Sequence, residues 1–339
     1  MAWTRQRITY TVAVAIVATN LVVGALLVRS GGTPVRQVSA TTTPSPSSSP
    51  SPAHSPPLLS PFTGEPVRSL GPVLAVKLDN DAAARPWTGL ASADIVYVLP
   101  VEGGLSRLLA IFSSGFPAVV GPVRSARSDD LQLLRQFGRP AYAYSGAAAT
   151  LLPYIYRTAR IVDLYAGRAR GYYRDPSRAA PYNLYAHTAQ LLAQAHGAST
   201  TRDIGFRFGP PPPGGKVTRS ASVSYPNASF RFTWSAATGR WLVWVDGSPA
   251  VTAGGVRLSA ATVVIQHTVV RTSRFLENGV RPPYAESVGS GRAVVLRSGR
   301  AWTVHWSRPS ADGGTTFTTV AGRPATFAPG RVWVVLAYP

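Results

Sequence analysis

The sequence predicts an α+β fold: a mixed α/β N-terminal domain followed by a small all-β C-terminal domain, preceded by one transmembrane helix. Three observations carry that reading. An uncharged run opens the chain, strand-like and helix-like segments alternate up to about residue 207, and beyond residue 217 only short β-branched or aromatic runs occur. Of the 339 residues, 45% are hydrophobic, enough for a sizeable core.

Arg5 and Arg7 precede the uncharged run Ile8–Val28, 21 residues long and therefore able to cross a bilayer as a helix. The run exceeds the apolar core of a cleavable signal, and the small-residue stretch Val38-Ser39-Ala40 lies far from its end. An uncleaved anchor over residues 1–29 is therefore favoured over a removed signal. The short amino-terminal tail favours amino-terminus inside, which places the folded part outside the cell membrane in a single-pass arrangement. Pro, Ser and Thr dominate residues 30–60, the composition of a semi-stiff linker that holds the rest away from the membrane.

Residues 61–207 form the mixed domain. VLAVKLD (73–79) reads as a buried strand, ADIVYVLPVEGG (93–104) as a strand running into a glycine turn, and LSRLLAIFSS (105–114) as a third strand. The paired glycines of VEGGL permit positive φ and suit a hairpin or a bulge. SDDLQLLRQFG (128–138) predicts a helix with Leu131, Leu134 and Phe137 on one face, stopped by Gly138 and Pro140. AHTAQLLAQAHG (186–197) predicts a second, ending at Gly197. Four prolines and three glycines make 208–217 a linker.

Residues 218–339 read as about seven short strands, with SAATGR and RSGR as hairpin turns, in a small β-sandwich or barrel. Trp234, Trp241, Trp244, Trp302, Trp306 and Trp333 all fall here and are expected in its core.

Thirty-four Lys+Arg against 14 Asp+Glu give a formal net charge of +20, and Lys77 and Lys216 are the only lysines. Such an excess attracts polyanions, although an arginine-rich composition accounts equally well for the total. An extracytoplasmic location argues against nucleic acid as the partner. The chain has no cysteine, which excludes disulfides, thiolate catalysis, cysteine metal sites and attachment through a lipidated cysteine. The five histidines (His54, His187, His196, His267, His305) show no ligand spacing, so no metal site is expected. GGLSR is not a nucleophile elbow, and GSGR lacks the helix and lysine of a phosphate loop; no cofactor is expected.

The segments PFTGEPV (61–67), VKLDN (76–80), ARPWTGLASADIVYVLPVEGGLSRLLAIF (84–112), GPVRSAR (121–127), YRDPSRAAPYNLY (173–185), VGSGRAVVLRSGRAWTVHWSRPS (288–310) and FAPGRVWVVLAYP (327–339) occur in this order. Together they resemble the YerB-like bacterial lipoproteins, envelope proteins with paired amino- and carboxy-terminal domains. The resemblance implies an extracytoplasmic, two-domain protein and no particular activity. This chain departs from the family pattern at three places. It has Val98 where members usually carry Glu, Tyr182 where they carry His, and SGAAA (145–149) for a Gly-Gly-Ser-Pro-like run. An acid–base pair built on that glutamate and histidine would be absent here.

Candidate ligand-binding residues are Asp79, Asn80, Arg85, Glu102, Arg107, Arg124, Ser125, Arg127, Arg178 and Asn183. Most lie just past expected strand ends, where α/β folds collect their sites. With Ser128 as a helix cap, Asp129 and Asp130 fall in the first turn and satisfy its amide ends. Arg124 and Arg127 precede that helix and gain nothing from its dipole. Two readings stand for them: an anion cradle, or local pairing with carboxylates such as Asp129 or Glu102. A buried Arg–carboxylate network would account for the whole set without a ligand.

Three functions follow. In the first, a membrane-anchored envelope protein binds an anionic cell-wall polymer or lipid-linked precursor through an arginine cluster. In the second it is an enzyme, a hydrolase or phosphate-transfer catalyst, acting on such a polymer. In the third it is a scaffold for an envelope protein partner.

Overall fold

The structure, a computed structural model, describes residues 56–277 and 279–339. The expected anchor and all but the end of the Pro/Ser/Thr-rich linker lie outside the described residues. No described helix is long and apolar enough to cross a membrane.

The described residues are mostly strand, with few and short helices. The first half supplies β1 (Leu74–Asp79), β2 (Ile95–Pro100), β3 (Ser106–Phe112), β4 (Ala141–Tyr144) and β5 (Val162–Tyr165). The second half adds β6 (Ser220–Tyr225), β7 (Ala228–Ser235), β8 (Arg240–Val245) and β9 (Thr262–His267). It continues with β10 (Gly289–Arg297), β11 (Arg300–Arg308), β12 (Thr316–Thr319) and β13 (Val332–Ala337). The helices are α1 (Ser128–Leu134), α2 (Leu152–Thr158) and α3 (Thr188–Leu192).

One sheet of eleven strands runs β12-β11-β10-β9-β13-β2-β3-β1-β4-β5, with the short strand Lys216–Val217 added beside β11. Strands from both sides of residues 208–217 thus share one hydrogen-bonded ladder. The junction is β13, parallel to β9 on one flank and to β2 on the other. The C-terminal strands are not a free-standing sandwich or barrel. β9 to β13 extend the first half's sheet, and β6, β7 and β8 form a second sheet that packs on one of its faces.

Alternation along the strands explains this layering. Val76, Val96, Val98 and Val335 point to one face and meet Phe230, Phe232, Trp241 and Val243 of the second sheet. Ala75, Ile95, Leu99 and Val334 point to the other and meet Leu134, Phe137 and Ile155 of the helical layer. A sheet covered on both faces needs unbroken apolar strands, and LAVKLD and IVYVLP are buried at every position. Of the tryptophans, Trp241, Trp302, Trp306 and Trp333 are buried, whereas Trp234 and Trp244 are half-buried.

The helices are shorter than the periodicity predicts. Residues 128–138 hold about two α-helical turns, then a 3-10 turn over Arg135–Phe137, ended by Gly138 at φ +82°. Residues 184–187 are strand, leaving only Thr188–Leu192 helical. Ser128 is not the cap: its hydroxyl pairs with that of Ser273 (2.9 Å), and the Asp130 carboxylate instead accepts the Arg127 amide (2.7 Å).

That helix start is buried and charged. The Lys77 ammonium, fully enclosed, donates to Asp130 Oδ1 (2.6 Å), and the Tyr142 hydroxyl donates to Asp130 Oδ2 (2.8 Å). Asp129 Oδ2 accepts only a long bond from the Ala285 amide (3.3 Å), and its Oδ1 has no partner among the described residues. Arg308 of β11, also fully buried, closes the other end of α1. Its guanidinium donates to the carbonyls of Gln132 (2.8 Å) and Gly313 (3.1 Å) and to the Ser287 hydroxyl (3.0 Å).

Candidate functional site

Strand register builds the site. β1 and β3 are antiparallel neighbours, and their last matched pair sets Asp79 opposite Arg107. The turn between β2 and β3 needs Gly103 and Gly104 at φ +68° and +67°, the left-handed region that glycine enters without strain. A Cβ on Gly104 would stand 2.6 Å from Pro226, so the turn also seats against the second sheet. The segment 121–127 then crosses the end of β1: the Arg124 amide donates to the Lys77 carbonyl (2.8 Å), and the Asp79 amide to the Pro122 carbonyl (3.0 Å). Arg107, Arg124 and Arg127 thereby line one hollow of about 350 Å³, together with Asp79 and Glu102.

Within it the charges are partly spoken for. Arg127 grips Glu102 with two prongs, Nε at 2.7 Å and Nη2 at 2.9 Å, and lies 3.6 Å from Glu277. Burial alone would raise the Glu102 carboxyl, but the hydrogen bonds and charge of Arg127 outweigh it and hold the group below the usual range. Arg124 Nε stands 2.8 Å from Asp79 Oδ2. Asp79 Oδ1 accepts the backbone amide of Asn80 (2.9 Å), which holds the carboxylate in place.

Arg107 is the exception. It is 8% exposed, its Nη1 donates to the Ser125 carbonyl (3.1 Å), and its Nε has no partner among the described residues. Burial, then the neighbouring charge of Arg127, push it down to about 10. Arg107 is thus short of hydrogen bonds and crowded by two other guanidiniums, with the charges of Asp79 and Glu102 opposing that crowding in part.

The remaining expected residues divide. Asn80 and Ser125 lie against the hollow: Asn80 Nδ2 donates to Ser106 Oγ (2.8 Å), and Ser125 contributes only its carbonyl to Arg107. Arg85 turns away, pairing with Asp246 and with the Asn80 carbonyl (2.7 Å). Arg178 does not converge with Arg124 and Arg127. It donates to the carbonyls of Ala83 (2.8 Å) and Arg85 (3.0 Å) and so ties down that loop. Asn183 accepts from Arg174 (2.6 Å) and donates to the Arg178 carbonyl (3.1 Å), a turn role. Arg124 and Arg127 meet in one hollow, and each also has a carboxylate partner, Asp79 and Glu102 respectively.

Sequence reasoning missed Asp81, Ser106, Tyr182 and Glu277, all of which line the hollow. Glu277 comes from the second half, and no local pattern signals it. Tyr182 had a signal, as the position where the chain departs from the family's histidine. Val98, the companion departure, is fully buried in the apolar core and does not line the hollow.

Comparison with known proteins gives a consistent picture. The model of the protein of unknown function (DUF3048) N-terminal domain matches residues 62–201, and that of its C-terminal domain matches residues 221–334. The protein described as "Putative lipoprotein YerB" of Bacillus subtilis (strain 168) is 49% identical over 74 residues, 21% of this chain and 22% of that one. The match therefore spans about a fifth of that relative. The crystal structure of YerB from Bacillus subtilis superposes with a TM-score of 0.70 at 20% identity, over 82% of this chain and 96% of that one. That likeness is one of fold.

Proposed function

The chain belongs to the DUF3048 family, and on that premise we propose that it is a membrane-anchored, extracytoplasmic envelope protein that binds an anionic group of a cell-wall or lipid-linked component in the Arg107–Arg124–Arg127 hollow. The observation that carries this reading is Arg107, buried between two like charges with its Nε unpaired among the described residues. The hollow takes a small anion rather than a long one. Asp79, Glu102 and Glu277 already offset much of the positive charge, leaving Arg107 and the outer nitrogens of Arg124 as free donors.

Binding is favoured over catalysis. A catalytic carboxylate needs a proton to give or a lone pair to use, and Glu102 is locked as an acceptor for Arg127. Ser106 has an asparagine as its hydrogen-bond partner rather than a base.

The test is a titration of the full-length chain, in detergent micelles, with single-unit wall fragments and lipid-linked precursors that each carry one anionic group. Arg107→Gln/Arg124→Ala is expected to abolish capture while leaving the unfolding transition in place. Undiminished capture by a folded double variant would overturn the assignment.

A further inference from the structure

A second concave surface lies away from that hollow. It is a cavity of about 680 Å³ between α1, α2 and the segment 271–275, lined by Arg135, Arg160, Arg271 and Arg274 against a single carboxylate, Glu286. Arg160 is also a wall of an adjoining hollow of about 310 Å³ that holds Arg139 and Arg202 with Asp312. The two hollows share Arg160 as a wall, so six arginines from four separate stretches of chain, with two carboxylates, line a groove divided at Arg160. Asp312 is shared: Arg135 Nη2 lies 2.5 Å and Arg160 Nη1 3.4 Å from it. Glu286 takes Arg271 (2.9 Å). Arg274 has no carboxylate among the described residues. Its guanidinium lies over the rings of Tyr154 (4.6 Å) and Phe275 (4.8 Å), which orders it without neutralising it.

We propose that this groove is a docking surface for an extended, flexible polyanion, specifically a polymer of polyol units joined through phosphodiesters. Four features support that partner. The surplus of guanidiniums is arranged along a path rather than around a point. Guanidinium forks match phosphate oxygens two at a time. Thr158 and Thr272, both exposed, bring hydroxyls to the walls, suited to the hydroxyls of such a chain, while that of Ser273 is taken by Ser128. Arg274 lies over Tyr154 and Phe275 and so withdraws one face of each ring from the stacking that holds the bases of single-stranded nucleic acid. This inference does not rest on the Arg107 hollow, which shares no lining residue with the groove.

A chain of net charge +20 binds any polyanion to some degree, so the experiment must separate place from total charge. The full-length chain in micelles is titrated with poly(glycerol phosphate), polygalacturonate, single-stranded DNA and uncharged dextran across a salt series. The groove variant Arg160→Ala/Arg202→Ala/Arg274→Ala is compared with an equal-charge control, Arg219→Ala/Arg292→Ala/Arg323→Ala, whose sites are exposed and outside the groove. The expected result is at least a tenfold loss for poly(glycerol phosphate) in the groove variant only. The slope of log Kd against log salt should fall by about 2, from three lost phosphate contacts at ~0.7 each. Arg107→Gln/Arg124→Ala should bind the polymer as the wild type does. Equal losses in the groove and control variants would reduce the effect to bulk charge and overturn the proposal. So would binding of dextran, or a tighter and equally groove-dependent hold on polygalacturonate or DNA.

Discussion

Replacing Asp129 by asparagine should flatten the pH dependence of stability. Asp129 is 1% exposed, with one long hydrogen bond from the Ala285 amide and one oxygen that has no partner among the described residues. Burial first, and the adjacent charge of Asp130 second, push its carboxyl from 3.8 up to about 7, with Lys77 opposing. In the unfolded chain the group ionises near its ordinary value. Between about pH 4 and pH 7 the native state therefore holds a proton that the unfolded state has released, and stability falls as pH rises. Above pH 7 both states are ionised and the loss stays at its full value. At ~1.4 kcal/mol per pH unit the displacement amounts to about 4 kcal/mol. Asparagine titrates in neither state, so whatever fixed cost its amide carries is the same at every pH. The measurement is urea unfolding of wild type and Asp129→Asn at pH 4.5, 5.5, 6.5 and 7.5, followed by fluorescence of the buried tryptophans. The variant should gain on the wild type by a few kcal/mol across that range. A stability difference constant to within about 0.5 kcal/mol would refute the reasoning.

Other substitutions probe the frame around the site. Lys77→Met, which leaves Asp130 enclosed without its cation, should cost about 3–5 kcal/mol at neutral pH in the same assay. Arg308→Ala should cost a similar ~3–5 kcal/mol by uncovering the last carbonyls of α1 and opening a cavity, and Arg308→Lys should restore only part, because an ammonium lacks the fork. Gly314→Ala would place a Cβ 2.2 Å from the Ile204 carbonyl carbon, which is backbone and cannot rotate away, so a loss of about 3 kcal/mol in thermal or urea unfolding is expected.

What the sequence made legible was local. VLAVKLD, ADIVYVLP and LSRLLAIF were readable as strands because unbroken apolar runs have few other uses, and EGG as their turn because two consecutive residues there needed positive φ. The meeting of Arg124 and Arg127 beside Glu102 was legible for the same reason, since a tight turn and a short return segment leave little freedom. Long-range pairing was not. Nothing in VWVVLAY indicates that it lies between two strands separated from it by 65 and more than 230 residues. Once it does, the apparent all-β domain becomes a continuation of the first sheet. Arg178 misled because an exposed arginine near a site and an arginine stapling a loop look alike until its carbonyl partners are seen. Helices 128–138 and 186–197 came out short because their apolar periodicity also suits a single turn pressed against a sheet.

The placement of Val332–Ala337 has a consequence for biogenesis. It follows every other strand in the chain, yet it occupies the middle of the large sheet. The ribosome must therefore deliver all the other strands before the two flanks can be zipped together. Until then Ile95–Pro100 and Thr262–His267 each present a bare main-chain edge. A chain of this design stays open through synthesis, and its two flanks join only when the closing strand arrives.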